Sequence, residues 1–170
     1  MKSARRRSRE FALQAIYQWQ LAESSWLELK KQYSAADSFD KADADLFATL
    51  VKGVLKNGAE LAEQLAPFVD RPWAEISPVE RGILWIGAFE LDAMPETPLR
   101  VIINESIELA KSFGGTDGHK YVNGVLDKFA AVRRAEEVAA QAPREVKPRV
   151  AKVAKSVPTV SVKARRSVKT

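Results

Sequence analysis

Ser77-Pro78-Val79-Glu80-Arg81-Gly82-Ile83-Leu84-Trp85-Ile86-Gly87-Ala88-Phe89-Glu90-Leu91 is the stretch on which the fold turns. Ser77 supplies an N-cap and Pro78 sits at the first helical position, where no amide proton is needed. Glu80 stands three residues after the cap, the spacing of a capping box. Beyond it Ile83, Leu84, Trp85, Ile86, Phe89 and Leu91 cover nearly the whole circumference of a helix. A helix apolar all round has no face to give to water, so the pattern predicts a central helix enclosed by others.

The flanking sequence supplies those others. Upstream, Arg71-Pro72-Trp73-Ala74-Glu75-Ile76 reads as one short helical turn. Before it, Leu46, Leu50, Val54, Leu61 and Leu65 recur at helical spacing with Phe47, Val51 and Leu55 beside them, a long helix over about 41–66 that Pro67 closes. Asp37 to Asp40 is a linker, and 25–34 is a short helix with Trp26 and Leu29 inward. The first helix starts near the N-cap Ser3 and runs to about Ala22, burying Phe11, Ala12, Ala15, Ile16 and Trp19. Downstream, Thr97-Pro98 repeats the cap-then-proline start. Val101, Ile102, Ile103, Ile107, Leu109 and Ala110 then lead to a terminating Gly114. A last helix begins around Thr116 or Asp117 and buries Val122, Val125, Leu126 and Phe129. No strand alternation and no fixed-period repeat is present. The expected fold is all-α, a single compact bundle of about six or seven helices.

The chain has 170 residues, 46% hydrophobic and 29% charged, which suits one soluble domain. A body of roughly 135 residues buries about two thirds of its unfolded surface, enough for a core without staples. With no cysteine, disulfides, Cys-ligated zinc, iron–sulfur clusters and thiol nucleophiles are excluded. His119 is the only histidine, so no metal site and no cofactor is expected. No apolar run approaches the roughly 18 residues of a membrane span. The N-terminus enters amphipathic sequence directly without a signal-type apolar stretch, so the expected location is cytoplasmic.

Charge is unevenly placed. Of 27 Lys and Arg and 22 Asp and Glu, residues 138–170 hold nine cations against Glu145 alone, +8, which leaves residues 1–137 at −3. That C-terminal stretch contains eight Val but no Phe, Trp, Tyr, Leu, Ile or Met, and it is broken by Pro143, Pro148 and Pro158. It cannot bury enough apolar area to offset its ordering entropy. The expected division is therefore a helical domain over 1–137 and a disordered basic tail over 138–170.

Two islands in the acidic body invite a ligand. Lys2, Arg5, Arg6, Arg7 and Arg9 stand against Glu10 alone in the first ten residues. Cations in a helix's first turn oppose its dipole, so stability alone does not ask for them there. Guanidinium groups suit a nucleic-acid backbone; the plain alternative is a solvated helix end. The second island is Ser112-Phe113-Gly114-Gly115-Thr116-Asp117-Gly118-His119-Lys120-Tyr121. A glycine-rich turn feeding a helix N-terminus can hold an anion, and Tyr121 offers a stacking face. Its plain reading is a helix–helix connection, and it lacks P-loop spacing. Glu105 and Glu108, one turn apart, read as a salt-bridged face with Lys111 rather than as acid–base or metal ligands. The four tryptophans read as core or interface anchors.

These residues resemble the NusB family of bacterial transcription antitermination factors. The resemblance spans about residues 2–130. It rests on Arg5-Arg6-Arg7-Ser8-Arg9-Glu10 with Ala12-Leu13-Gln14-Ala15-Ile16-Tyr17, on Val79-Glu80-Arg81-Gly82-Ile83-Leu84, and on Ile103-Asn104-Glu105-Ser106-Ile107-Glu108-Leu109-Ala110-Lys111-Ser112-Phe113-Gly114. His119-Lys120-Tyr121-Val122-Asn123-Gly124-Val125-Leu126-Asp127 completes it. Gly115, Gly118 and the basic tail depart from the pattern. The resemblance implies a non-enzymatic, all-helical protein that pairs with the ribosomal protein NusE. The pair binds single-stranded boxA RNA of nascent ribosomal transcripts within an antitermination complex on RNA polymerase. It implies an RNA surface of Arg5, Arg6, Arg7 and Arg9 with Tyr17 nearby, extended by Asp117, Lys120 and Tyr121. Glu80 would face the protein partner. Whether the chain alone is a monomer or a homodimer stays open. Two other readings compete: the RNA-binding part of a ribosomal RNA cytosine methyltransferase, whose catalytic cysteines this chain lacks, and a helical scaffold that binds only protein.

Overall fold

The computed structural model describes residues 1–141. Seven α-helices make up the body: α1 (Ala4–Ala22), α2 (Trp26–Ser34), α3 (Ala44–Leu65), α4 (Pro78–Ala93), α5 (Leu99–Phe113), α6 (Gly118–Arg133) and α7 (Ala135–Gln141). Single 3-10 turns at Phe39–Lys41, Ala66–Phe68 and Trp73–Glu75 connect them. No strand occurs among the described residues, and no helix among them is long and apolar enough to cross a membrane. Residues 142–170, on which most of the expected tail falls, lie outside the described residues. The helical body nonetheless passes the expected boundary at 137. α7 continues to Gln141, Val138 packs on the core, and the Glu137 carboxylate accepts from the Leu99 amide at 2.7 Å.

α4 is the axle, packed against α1, α3, α5 and α6. Ile83, Leu84, Ile86 and Ala88 on it are fully buried, as an all-round apolar helix requires. Around it Ile16 of α1, Leu50 and Val54 of α3, Ile102 of α5 and Leu126 and Phe129 of α6 close the core. Each large aliphatic or aromatic side chain removed from water here contributes about 1.5–3 kcal/mol. A second aromatic layer sits under α2, where Phe11, Tyr33, Phe39 and Phe47 meet at centroid distances of 5.2–6.3 Å.

Helix starts follow local chemistry with two departures. Ser3, Ser25, Asp43 and Ser77 each cap their helix by accepting a backbone N–H three residues on. Thr97 does not cap α5; Pro98 occupies the cap position without a side-chain bond, and Glu137 of α7 satisfies the Leu99 amide instead. At α4 the Ser77 hydroxyl accepts from the Glu80 amide at 3.2 Å, whereas the Glu80 carboxylate turns away toward Gly118.

The other end of α4 is closed by an arginine. Arg134 is buried and donates to the carbonyls of Glu90, Leu91, Met94 and Thr97 at 2.6–3.0 Å, with Glu137 as its counter-ion at 3.0 Å. The Leu91 carbonyl is one that the helix end leaves without a backbone partner, since Pro95 has no N–H, whereas those of Glu90 and Met94 also accept from the Met94 and Thr97 amides.

Candidate nucleic-acid interface

The N-terminal cations of α1 divide by helical position. Arg9 shares a stripe with Ala12, Leu13 and Ile16, the i, i+3, i+4, i+7 face that packs on α4. It is 3% exposed, and its guanidinium grips Glu90 of α4 through Nη2–Oε1 at 2.7 Å and Nε–Oε2 at 3.0 Å. Placing Arg9 on the RNA surface is therefore corrected: a group sealed between two helices and saturated by a carboxylate cannot reach a phosphate. Its role is to position α1 on α4.

Arg6 takes an intermediate place. Nε and Nη2 donate to the Glu105 carboxylate of α5 at 3.0 and 2.9 Å, which leaves the Nη1 edge of the guanidinium unused. The Glu105 bond, its charge, and the charges of Glu108 and Glu10 hold the Arg6 pKa above its ordinary value. Lys2 pairs with Glu10 at 2.9 Å, and Arg5 lies 3.8 Å from Asp43. Arg7, half-buried, makes no ion pair among the described residues. The island is thus more neutralised than its sequence suggests, with Arg7, Arg5 and one edge of Arg6 left for an anion. Glu108 pairs with Lys111 at 3.9 Å, as expected.

α1 and α5 run side by side from this corner. Farther along them, Tyr17 and Phe113, each 40% exposed, border a groove of about 530 Å³ with Leu13, Leu21 and Val79. Exposed aromatic faces on a groove are what unstacked bases settle on. Phe113 was legible only as part of the second island, because nothing in its spacing distinguishes an exposed aromatic from a core one.

Past Phe113 the chain enters the glycine-rich turn. Gly115, Thr116, Asp117 and Gly118 surround a cavity of about 270 Å³ with Glu80, Arg71 and Tyr121. At Gly118 a Cβ would stand 2.9 Å from Glu80 Oε1, so a larger residue there would make that carboxylate swing aside. Lys120 and Asp117 are exposed and 3.5 Å apart. The Tyr121 ring carries the Arg71 guanidinium 4.9 Å from its centroid, and Arg71 in turn bonds Asp70 at 2.8 Å. That bond holds the Asp70 carboxyl below its ordinary value, while burial, then the Asp70 charge, push the Tyr121 phenol up. Arg71 and Asp70 were missed by sequence reasoning, because the loop that bears them is distant in the chain.

The two corners are connected. Arg6 holds α5 at Glu105, Tyr17 faces the groove that α5 ends in, and Val79 of that groove is followed directly by Glu80 of the turn cavity. Among the described residues no group of three or more His, Asp or Glu is arranged to hold a metal ion.

Comparison with known proteins bears on what such a surface does. The NusB family model matches residues 6–131. Transcription antitermination protein NusB of Aromatoleum aromaticum is 55% identical over 139 residues, covering 82% of this chain and 96% of that protein. The protein of the same name from Dechloromonas aromatica is 52% identical over 140 residues, covering 82% of this chain and 86% of its own. Among solved structures, T. maritima NusB superposes with a TM-score of 0.70 at 25% identity, over 82% of this chain and 99% of that one. A crystal structure of the antitermination factors NusB and NusE in complex with dsRNA matches in fold with a TM-score of 0.63 at 19% identity, over 75% and 96%.

Proposed function

Because this chain belongs to the NusB family, we propose that it is a cytoplasmic transcription antitermination factor which, with the ribosomal protein NusE, binds boxA RNA of nascent ribosomal transcripts. Bound there, it helps RNA polymerase avoid premature termination. The observation that carries the reading is the family match over residues 6–131, which takes in Arg6 and Arg7, the glycine-rich corner and the aromatic groove between them.

In this reading Arg5, Arg7 and the free edge of Arg6 position the RNA through its phosphates, and Lys120 extends the track at the far corner. Tyr17 and Tyr121 stack on or read splayed bases, with Asp117 at the edge of the same turn. Glu80, held beside Gly118, lies toward the NusE-like partner.

About four cations neutralising one phosphate each give a slope near −3 when log affinity is plotted against log salt for a single strand. A titration of the full chain with a fluorescent boxA-type RNA and a scrambled control checks this. The expected result is that slope for both RNAs and tighter binding of boxA. Binding indifferent to salt would remove the phosphate contacts, and equal affinity for the two RNAs would remove specific readout.

A further inference from the structure

On the other side of the α4 start lies a cavity of about 360 Å³ with an unusual lining: Trp19, Gln20 and Glu23 of α1, Trp73 of the 3-10 turn, and Arg81 and Trp85 of α4. Trp85 is its fixed floor. It is nearly buried and donates Nε1–H to the Gly58 carbonyl at 2.9 Å, and a Cβ at Gly58 would crowd Trp19 at 3.3 Å. Trp19 and Trp73 flank it at centroid distances of 5.4 and 5.1 Å and remain half-exposed.

The polar groups of this cavity are unfinished. Four buried side-chain polar atoms among the described residues have no hydrogen-bond partner, and two of them, Gln20 Oε1 and Arg81 Nε, belong to residues that line it. The Gln20 amide orientation is fixed, since its Nε2 donates to the Pro78 carbonyl at 2.8 Å. An occluded acceptor and an occluded cationic donor are thus left without partners in two residues that line the cavity. A helical core gains nothing from either, because a buried polar group without a partner is destabilising.

We propose that this cavity receives one unstacked base of the bound RNA, stacked against Trp19 and Trp73 and read at its edge by Gln20 and Arg81. Every nucleobase presents a flat face together with an N–H donor and a ring or carbonyl acceptor side by side. Gln20 Oε1 accepts from the donor and Arg81 donates to the acceptor after a small side-chain turn. The Glu23 carboxylate at the rim repels phosphate and leaves the backbone outside. The proposal rests on the RNA-binding reading and adds a specificity site to it. Val79 borders the groove and Arg81 the cavity, two residues apart and on different sides of the α4 start, so an RNA strand that reaches both crosses over that helix end.

The test uses the full chain and a boxA-type RNA in which each nucleotide is replaced in turn by an abasic one. In the wild type one position loses on the order of tenfold affinity. In Arg81→Met that same position loses nothing further, the non-additivity of a direct contact. 2-Aminopurine placed there is quenched by the wild type and not by Trp73→Leu, with thermal unfolding confirming that both variants are folded. Should Trp73→Leu unfold, the Arg81→Met coupling decides alone. If the wild type binds with its salt slope yet no position couples to Arg81, the cavity is not a base site and the RNA reading survives. If the wild type binds no RNA, both fall together.

Discussion

Arg7 and Arg9 stand two residues apart on one helix, and the sequence marks them alike as members of a basic run. The fold treats them oppositely. Arg9 is sealed against Glu90 between α1 and α4, while Arg7, half-buried, makes no ion pair among the described residues. Arg134 repeats the first fate at the other end of α4, spent on four carbonyls. Cationic residues here are therefore two populations, one that assembles the bundle and one available to a polyanion. Counting charge along the chain overstates the second.

The comparison breaks most visibly at Arg9. Arg9→Met leaves the Glu90 carboxylate, 1% exposed, without a partner, and an uncompensated buried charge costs about 3–5 kcal/mol. Urea unfolding should show that loss. The double variant Arg9→Met with Glu90→Met should recover most of it, because an ion pair exchanged for apolar packing is close to neutral. A single-variant loss below about 1 kcal/mol would mean that Arg9 swings to solvent and belongs with Arg7 after all.

The buried pair could have been read from the sequence, since Arg9 falls in register with Ala12, Leu13 and Ile16, and Glu90 in register with Ile83 and Ile86. A lone base on one apolar stripe and a lone acid on another is the signal for a mutual partner, and the basic run around Arg9 masked it. The all-helical fold was legible because capping residues, prolines and apolar spacing agree along the chain, and α4 was legible as central because it has no polar face. The site was legible only in part. Tyr17 and Lys120 are exposed, and Arg6 and Arg7 are half-buried. The pairing of Arg6 with Glu105, the stacking of Arg71 on Tyr121 and the three-indole cavity, however, join segments 50 or more residues apart or depend on side-chain rotation. Periodicity carries no information about either. Thr97 failed as a cap for a similar reason: the Leu99 amide found Glu137, 38 positions away.

Replacing Arg5 and Arg7 together by Ala sharpens the other half of the comparison. Neither is engaged in the core, so unfolding free energy should shift by less than about 0.5 kcal/mol. Affinity for boxA-type and scrambled RNA should fall alike, and the salt slope should become shallower by roughly 1.4, two single-strand phosphate contacts. A preferential loss of boxA binding would show that one of these arginines reads a base instead of a phosphate.

The smallest effect concerns charge used only locally. Ser25 and Glu28 close a reciprocal capping box on α2: the Ser25 amide donates to the Glu28 carboxylate at 2.7 Å, and the Glu28 amide donates to the Ser25 hydroxyl at 3.3 Å. Ser77 and Glu80 have the same spacing and make only the second of these bonds, because Glu80 is drawn to the Gly118 turn. The amide bond first, and the hydroxyl second, hold the Glu28 carboxyl below its ordinary value. A depressed carboxylate adds stability that is complete above the unfolded-state pKa and disappears as pH falls through the lower folded one. Glu28→Gln should therefore unfold at slightly lower urea than the wild type at pH 6, with the gap closing as the solution is acidified below the usual carboxylate range. A Glu28→Gln difference that stays constant with pH would assign its contribution to amide geometry alone, with the carboxylate charge playing no part.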